Sequence, residues 1–359
     1  MNILVNNKPN KQYFSQKIVE WHKKHNKRPM PWKGEKDPYK IWLSEIILQQ
    51  TRVLQGLAYY NRFVTKYPTV MHLAKAKDEE VYKLWEGLGY YSRCKNLLAT
   101  ARIITENGGM FPQKYNDVLA LKGVGTYTAA AIVSFAYNQP YAVVDGNVNR
   151  ILARCFGITI AIDSTKGKKT IATLANELLD KKQPGKFNQA MMDFGATICK
   201  PRQPLCNECI LQANCFAFKH NQTSLLPKKE KKITIKKRWM HYLLAEYKNS
   251  WLIRKRDAKD IWQNLYEFIL IETSDNLSKK QFLAHKQIKK FTEENFSLLH
   301  LSKEISQRLT HQQISGRFMH IILTKKISPE GYKWVLKEDI KNKAFTGFIN
   351  KYLNTIKKL

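Results

Sequence analysis

The sequence predicts a chain of two domains, a mainly helical one followed by a smaller α/β one. Its 359 residues are enough for two hydrophobic cores. Residues 14–198 carry apolar side chains at helical spacing, interrupted by Pro and Gly, whereas the chain beyond 239 contains short strand-like runs such as MHYLLAEY and FMHIILTKK. This change predicts a helical domain over 1–222, a basic linker over 223–238 and an α/β domain over 239–359.

The helices of the first domain are predicted from apolar spacing and from their start signals. Phe14, Ile18 and Trp21 give the first helix its apolar face. Asp37 is a suitable N-cap and Pro38 a tolerated first residue for a long second helix, KIWLSEIILQQTRVLQGLAYYNRF. Further helices are predicted around 78–86, 92–107, 115–121, 126–137, 146–156, 167–180 and 187–197, with a closing helix over 340–352.

The charge balance indicates a polyanionic partner. The chain has 61 Lys and Arg against 29 Asp and Glu, a formal net charge of +32. This excess favours nucleic acid, although a lysine-rich composition would also produce a solvated basic surface. A membrane surface is less favoured, because the sequence shows no basic amphipathic helix of the interfacial kind. No apolar run is long enough to span a membrane, and MNILVNNKPNKQYF lacks the apolar core of a signal peptide, so we expect a soluble intracellular protein.

Two glycines lie between predicted helices in DVLALKGVGTYTAAA. Gly123 and Gly125 permit a tight reversal and a close approach of a phosphate to the backbone. The amides at the start of the following helix would then form an anion site. A plain turn between helices is the alternative. In a chain this basic, the pattern favours a helix–hairpin–helix that contacts the DNA backbone without reading bases.

Four cysteines lie within seventeen positions in CKPRQPLCNECILQANC, with gaps of six, two and five residues. Such crowding in an intracellular chain indicates metal ligands, and both zinc and an iron–sulfur cluster accept four cysteines. Spacing alone does not choose between these two metals. The predicted ligands are Cys199, Cys206, Cys209 and Cys215, whereas Cys94 and Cys155 are expected to be ordinary buried thiols.

Two acidic residues are candidates for chemistry. Glu45, in WLSEIILQQ, has mostly apolar helical neighbours, so burial on that side would raise its pKa and let it hold a proton near neutrality. Helix periodicity alone slightly favours an exposed glutamate. Asp145 follows the apolar run YAVV, where an N-cap or turn residue is the simpler interpretation.

Several motifs together resemble the MutY family of adenine DNA glycosylases, in the helix–hairpin–helix superfamily that includes endonuclease III. The motifs are LKGVGTYTAAA, VVDGNVNRILAR, WLSEIILQQT, GLGYYSR, FNQAMMDFGA and the cysteine spacing. The resemblance extends from about residue 12 to 220 and continues more loosely through the second domain. It implies base excision repair of adenine mispaired with 8-oxoguanine or guanine, with the adenine flipped out of the duplex.

The resemblance also assigns catalytic roles. Glu45 matches the acid that protonates the adenine ring at N7, and Asp145 matches the carboxylate that stabilises the cationic sugar. Asn147 would orient Asp145. Tyr127 occupies the position where bifunctional relatives carry a lysine, and a phenol cannot form their Schiff base. The resemblance therefore implies a glycosylase without efficient lyase activity, with Tyr127 hydrogen-bonding near Asp145.

Further residues match positions that contact DNA or the extruded base. The adenine pocket would be formed by Arg28, Trp32, Gln189 and Met192. Gln50 and Tyr90 would enter the base stack, with Thr51 near the oxidised base. Core packing is the alternative for Trp32, Tyr90 and Met192. The family's cofactor is a four-iron, four-sulfur [4Fe-4S] cluster, which the four cysteines would bind.

The second domain resembles the Nudix-like module that recognises 8-oxoguanine. IRKRDAKDIWQNLYEF matches its early strand and loop, but the pyrophosphatase signature with its REXXEE core is absent, so nucleotide hydrolysis is not expected. In LTHQQ, Thr310 and His311 keep hydrogen-bonding groups of the family's Phe-Ser-His hairpin, while Leu309 replaces the aromatic residue.

We therefore expect a monomer that acts on mispaired double-stranded DNA in the cytoplasm of a bacterium, at the nucleoid. Two alternatives have other functions. One is a pyrimidine glycosylase and lyase similar to endonuclease III, which Tyr127 disfavours. The other is a DNA-binding protein without activity, which the joint presence of Glu45 and Asp145 disfavours.

Overall fold

The computed structural model describes residues 11–230, 234–257, 259–292 and 296–356. The chain forms two compact units. The helical unit comprises Met1–Ala74 and Ala99–Lys231, and the sheet unit comprises Lys75–Leu98 and Lys232–Leu359. The prediction that the N-terminus lacks a signal-peptide core concerns residues 1–14, of which 1–10 lie outside the described residues. Residues 231–233 of the predicted linker also lie outside them.

Twelve helices precede the sheet among the described residues. They are α1 Lys11–His25, α2 Pro38–Leu48, α3 Val53–Lys66, α4 Val70–Lys75, α5 Asp78–Trp85, α6 Tyr91–Glu106, α7 Tyr115–Leu119, α8 Thr126–Tyr137, α9 Gly146–Phe156, α10 Thr165–Leu178, α11 Pro184–Thr197 and α12 Phe216–Lys219. Most begin and end within three residues of the predicted positions, and α4 and α12 were not predicted. No helix in the described ranges is long and apolar enough to cross a bilayer.

The prediction of one long second helix is wrong, because the chain forms two helices there, α2 and α3, with a break between them. Its start is as expected: the Asp37 side chain accepts a hydrogen bond of 2.9 Å from the Tyr39 N–H. The helix ends at Leu48, however, and Gln50 adopts a left-handed conformation with φ 55°. A new helix then begins at Val53. The four residues at the break, 49–52, are polar but include neither Pro nor Gly, and apolar spacing resumes at Val53, so the sequence carried no strong stop signal. The break leaves Gln50 exposed.

The core of the helical unit lies between α1, α9, α10 and α11, where Ile18, Ile151 and Phe194 are almost completely buried. Gly195 makes the close approach of α11 to α9 possible. A Cβ atom at this position would lie 2.5 Å from the Cβ of Asn147. The absence of a side chain at Gly195 thus lets α11 pack directly against the first turn of α9, where Asp145 and Asn147 lie.

In the described part of the sheet unit, nine strands lie around a central β1. The strands are β1 Lys236–Tyr247, β2 Ser250–Lys255, β3 Tyr266–Glu267, β4 Ile269–Thr273, β5 Phe296–Leu301, β6 Ile305–Arg308, β7 Gln312–Gly316, β8 Phe318–Leu323 and β9 Lys333–Leu336. β1 pairs antiparallel with β2 and β4 and parallel with β7 and β8. Because β1 starts at Lys236, the end of the predicted linker belongs to the sheet.

Helices cover the two faces of this sheet. On one face, Phe282 of α13 (Lys279–Leu283) and Ile288 of α14 (Lys286–Thr292) pack with Leu243. On the other, Phe348 of α15 (Gly347–Ile356) contacts the rings of Tyr242 and Phe318. The predicted helix over 340–352 is wrong at its start. Residues 337–342 form a 3-10 turn, and α15 begins after Thr346, whose hydroxyl accepts a hydrogen bond from the Ile349 N–H.

Candidate active site

A cavity of about 510 Å³ opens in the helical unit between α2, α8, α9, α11 and the segment joining α1 to α2. It brings together nine of the predicted site residues, namely Arg28, Trp32, Glu45, Thr51, Tyr127, Asp145, Asn147, Gln189 and Met192. His22, Met30 and Lys33 also line it and were not predicted. Residues as far apart in sequence as Arg28 and Met192 therefore meet around one space large enough for a nucleobase.

Glu45 lies on α2 and is only 8% exposed, so the exposed alternative that helix periodicity slightly favoured is wrong. Nearly all of α2 is buried, and periodicity therefore could not indicate which face was solvated. Burial raises the pKa of Glu45 to about 7. The Tyr127 hydroxyl opposes this increase by hydrogen-bonding the carboxylate, and the nearby charge of Asp145 adds to it. Glu45 can thus hold a proton at neutral pH.

Asp145 is both the N-cap of α9 and a residue of the cavity wall. Its Oδ1 atom accepts a hydrogen bond of 2.7 Å from the Val148 N–H, and its Oδ2 atom accepts one of 2.6 Å from Asn147 Nδ2. Burial raises the pKa of Asp145, whereas these two hydrogen bonds favour its ionised form. The capping interpretation was correct, and the cap leaves the carboxylate facing the cavity.

Tyr127 lies on the first turn of α8. We expected its hydroxyl to hydrogen-bond near Asp145, but its partner is the Glu45 carboxyl. Its hydroxyl also lies 3.7 Å from the sulfur of Met192. Burial raises the pKa of Tyr127 well above its ordinary value, so the phenol stays neutral. The Tyr127 hydroxyl therefore interacts with Glu45, the carboxyl group of the cavity that can hold a proton.

Asn147 is held by a residue that sequence analysis missed. The Arg150 guanidinium donates from Nη2 to Asn147 Oδ1 at 2.9 Å and to the Gly195 carbonyl at 2.7 Å. Its Nε atom donates to the Cys199 carbonyl at 2.7 Å. The i, i+3 spacing of Asn147 and Arg150 on α9 could have suggested this contact. Arg150 fixes the side chain that in turn orients Asp145.

The glycine hairpin has the geometry that its sequence predicts. Gly123 has φ 81°, a conformation that favours glycine, and Gly125 is the N-cap of α8. Gly125 provides no side-chain cap, so the first amides of a twelve-residue helix are not satisfied by its cap residue. Neither glycine lines the cavity, and the hairpin is a separate backbone feature of the helical unit.

The four clustered cysteines lie between α11 and α12, around two 3-10 turns. Arg154, which is 3% exposed, donates to Cys199 Sγ at 3.4 Å and to the Lys200 carbonyl at 2.7 Å. A buried cation beside four thiols suits an anionic metal–thiolate group. In the part of the chain that the structure describes, no three His, Cys, Asp or Glu side chains converge as a single metal ion requires. Four thiols beside a buried guanidinium are therefore a donor set that a thiolate-bound metal centre could use.

The two isolated cysteines differ from each other. Both are buried, as predicted, and Cys94 lies in the sheet unit. Cys155, on α9, lies beside Cys215 of the cysteine loop. Since α9 carries both Cys155 and Arg154, this helix contacts the loop as well as the cavity.

The remaining predicted contacts lie outside the cavity. In the sheet unit, Tyr90 is 41% exposed, has φ 49°, and places its hydroxyl against the Thr310 hydroxyl. Thr310 and the exposed His311 lie in the turn between β6 and β7. In the helical unit, the exposed Gln50 directly precedes Thr51, which lines the cavity. The structure thus joins Tyr90 to Thr310, a pairing that the sequence did not suggest.

Comparison with known proteins identifies the family. Residues 43–181 match the model of the HhH-GPD superfamily of base excision DNA repair proteins, and residues 241–355 match a NUDIX domain. The adenine DNA glycosylase of Buchnera aphidicola subsp. Schizaphis graminum is 37% identical over 284 residues, which cover 77% of this chain and 81% of that protein. The chain belongs to the adenine DNA glycosylase family. The relative from Buchnera aphidicola subsp. Baizongia pistaciae is 33% identical, with 87% of each chain covered. The human adenine DNA glycosylase is 41% identical over 57% of this chain and 39% of that protein.

Solved structures support the fold. A thermostable thymine-DNA glycosylase is 29% identical with a TM-score of 0.54, covering 58% of this chain and 97% of that one. An endonuclease III–DNA complex is 21% identical with a TM-score of 0.51, which supports the fold alone. This adenine DNA glycosylase is therefore a base excision repair enzyme that hydrolyses N-glycosidic bonds. Its superfamily commonly carries a [4Fe-4S] cluster.

Proposed function

We propose that this adenine DNA glycosylase excises adenine opposite 8-oxoguanine or guanine, acting as a monomer on duplex DNA and leaving the strand uncut. The observation that carries the proposal is the meeting of Glu45, Tyr127 and Asp145 at one cavity, with burial raising the pKa of Glu45 to about 7. The base must leave the stack to reach such a cavity.

The first step is proton transfer to the leaving base. Glu45 in its neutral form donates a proton to N7 of the extruded adenine. The C1′–N9 bond then breaks and its electron pair stays on N9, so adenine departs as a neutral molecule. A general acid of this kind accelerates such a step by about 10²- to 10⁴-fold.

The second step is capture of the cationic sugar. The Asp145 carboxylate, held by Val148 and Asn147, stabilises the positive charge at C1′. Water then forms a bond to C1′ and loses a proton to the Glu45 carboxylate, which restores the starting acid. The products are free adenine and an abasic site.

Tyr127 explains why the reaction ends there. A lyase needs an amine that attacks C1′ and forms a Schiff base, and the neutral phenol of Tyr127 cannot do so. We expect Tyr127→Lys to yield some adduct with DNA that borohydride traps. The wild-type chain is the control, and complete absence of adduct from the variant would contradict the assignment of this position.

We assign recognition of the mispair to surface groups of both units, of which Thr310 is partly exposed. Gln50 and Tyr90 would enter the base stack, and the amides after Gly125 would contact a phosphate. Thr310 and His311 would hydrogen-bond 8-oxoguanine. The net charge of +32 supports binding to the DNA backbone. We expect Thr310→Ala to reduce the preference for 8-oxoguanine over guanine, with the exposed-helix variant Thr355→Ala as control.

Cys199, Cys206, Cys209 and Cys215 would hold a [4Fe-4S] cluster. When bound, the cluster would cross-link the loop between α11 and α12 through its iron–thiolate bonds. Purified protein should be yellow-brown and contain iron and sulfide. A colourless, fully active, zinc-containing protein would contradict this cofactor.

The decisive test is release of free adenine under single-turnover conditions from matched duplexes that differ only at the mispair. We expect release from A:8-oxoguanine and A:G duplexes and none from A:T. Excision of an oxidised pyrimidine instead, with strand cleavage, would favour the endonuclease III-like alternative. Binding without release of any base would favour the inactive DNA-binding alternative.

A further inference from the structure

One buried carboxylate beneath the cavity contacts an unusual number of polar side chains. Asp193, on α11, is completely buried. Its Oδ2 atom accepts a hydrogen bond of 2.6 Å from Asn26, and its Oδ1 atom accepts one of 3.1 Å from Arg28 Nη1. Lys33 Nζ lies 3.2 Å from Oδ2, and His22 Nε2 lies 3.4 Å from it. Gln189, one turn earlier on α11, also hydrogen-bonds this carboxylate.

Three of these partners belong to the segment between α1 and α2, which we call the strap (residues 26–36). The strap forms one wall of the cavity through Met30, Trp32 and Lys33. Asn26, Arg28 and Lys33 attach it to Asp193, and at its far end Lys36 Nζ donates to the Phe135 carbonyl at 2.7 Å. Because the strap has no regular secondary structure apart from a turn, these side-chain contacts hold its position.

Asp193 also determines the charge of this wall. Burial opposes its ionisation, but the contacts of His22 and Asn26 and the charge of Lys33 lower the pKa of Asp193 to about 2. The residue is therefore anionic throughout the pH range of the reaction. Arg28 and Lys33 are both cations at the cavity, and one carboxylate offsets one of their two charges.

We propose that Asp193 is a positioning residue for adenine excision, which anchors the strap against the cavity and limits the positive charge that a protonated adenine meets there. The inference rests on the proposed function, because it assumes that Glu45 protonates a base in this cavity. Asp193 does not line the cavity, so it would act through Arg28, Lys33 and Gln189, which do.

The charge effect gives a signature that a purely structural residue lacks. Glu45 shares its surroundings with Tyr127 and Asp145, whereas Asp193 faces His22, Arg28 and Lys33 with Asn26 and Gln189. Removing the charge of Asp193 leaves one more net positive charge at the cavity. Added positive charge favours ionised Glu45, so its pKa falls and base release is lost at a lower pH.

The test uses the full chain and a duplex with one A:8-oxoguanine pair, with single-turnover rate constants measured between about pH 5.5 and pH 8.5. For Asp193→Asn we expect a rate about tenfold lower near pH 7.5. We also expect the basic limb of the pH–rate profile, where the rate falls as pH rises, to move to a pH about half a unit lower. Asp193→Glu should restore the limb. The control is Glu177→Gln, which removes an exposed carboxylate from the same unit and should behave as wild type.

A second variant keeps the proposal testable if Asp193→Asn does not fold. Lys33→Gln removes one cation from a partly exposed position, so the basic limb should move upward, opposite to the effect at Asp193. Unchanged limbs in both Lys33→Gln and any folded Asp193 variant would overturn the inference while the wild type still releases adenine. Failure of the wild type to release adenine at any pH would instead overturn the proposed function.

Discussion

Two buried glutamates, one in each unit, have opposite surroundings. Glu267 in the sheet unit is completely buried and accepts hydrogen bonds from Arg254 Nε at 2.9 Å and from the Arg256 guanidinium. Glu45 in the helical unit is almost as buried, but its hydrogen-bond partner is the phenol of Tyr127. Among the described residues, no lysine or arginine pairs with Glu45.

This difference shows how one side-chain type serves two purposes. A buried carboxylate that is paired with cations is a fixed anion, whose removal leaves those cations unpaired. A buried carboxyl without a cation is desolvated, and desolvation favours its protonated form. The second environment disfavours the ionised state but provides an acid at neutral pH, as a leaving adenine requires. The comparison therefore predicts that the same Glu→Gln change has contrasting effects at the two positions.

The largest expected effect is on catalysis at Glu45. Glu45→Gln removes the proposed proton donor while preserving shape, so the single-turnover rate of adenine release should fall by about 10³-fold. Duplex affinity, measured by fluorescence anisotropy, should stay close to wild type because the DNA-contacting groups are unchanged. Glu177→Gln, on the surface of the same unit, serves as the control. Equal loss of affinity and rate would mean that Glu45 is a structural residue.

The next effect is on the stability of the sheet unit. Glu267→Gln leaves the 6%-exposed Arg256 without its main counter-charge, which should lower the free energy of unfolding by about 3–5 kcal/mol. Differential scanning calorimetry of the full chain measures this change. Arg254 is more exposed than Arg256, so Arg254→Met should have a smaller effect. If Glu267→Gln is as stable as wild type, the attraction within these ion pairs only offsets the cost of removing their charges from water.

Stability should respond in the opposite direction at Glu45. Its pKa in the folded chain, about 7, lies above its ordinary value of 4.5. The resulting contribution to stability is fully present below about pH 4.5 and is lost as pH rises through about 7. Glu45→Gln should therefore match wild type in acid and exceed it by about 3 kcal/mol above pH 8. A stability difference that does not vary with pH would contradict the raised pKa.

Local signals were sufficient for much of the fold. The start of α2 was predicted because Asp37 and Pro38 fix it within the helix itself. The hairpin before α8 was predicted because Gly123 and Gly125 meet a local conformational need. The interruption at Gln50 was missed because neither Pro nor Gly marks it and apolar helical spacing resumes at Val53.

The residues themselves suggested Glu45 and Asp145 as candidates, whereas their catalytic roles came only from the resemblance and stay predictions. From the residues alone, an exposed Glu45 was slightly favoured, because a helix buried on nearly every side has no polar face to reveal its orientation. Asp193 was missed because its partners His22, Arg28 and Lys33 lie about 160 to 170 positions earlier in the chain. The pairing of Tyr127 with Glu45 was missed for the same reason, since it joins α8 to α2. Such long-range contacts leave no pattern in a single sequence.

The smallest expected effect is a change in the pKa of Glu45 when the residue itself is kept. The Tyr127 hydroxyl donates a hydrogen bond that stabilises the Glu45 carboxylate and lowers its pKa. Tyr127→Phe removes this bond and keeps the ring, so the pKa of Glu45 should rise and adenine release should persist to a pH about half a unit higher. The basic limb of the single-turnover pH profile measures this shift, with Tyr137→Phe, at the other end of α8, as control. A downward shift would mean that the hydroxyl stabilises the protonated acid instead, and the proton on Glu45 would then depend on Tyr127 as well as on burial.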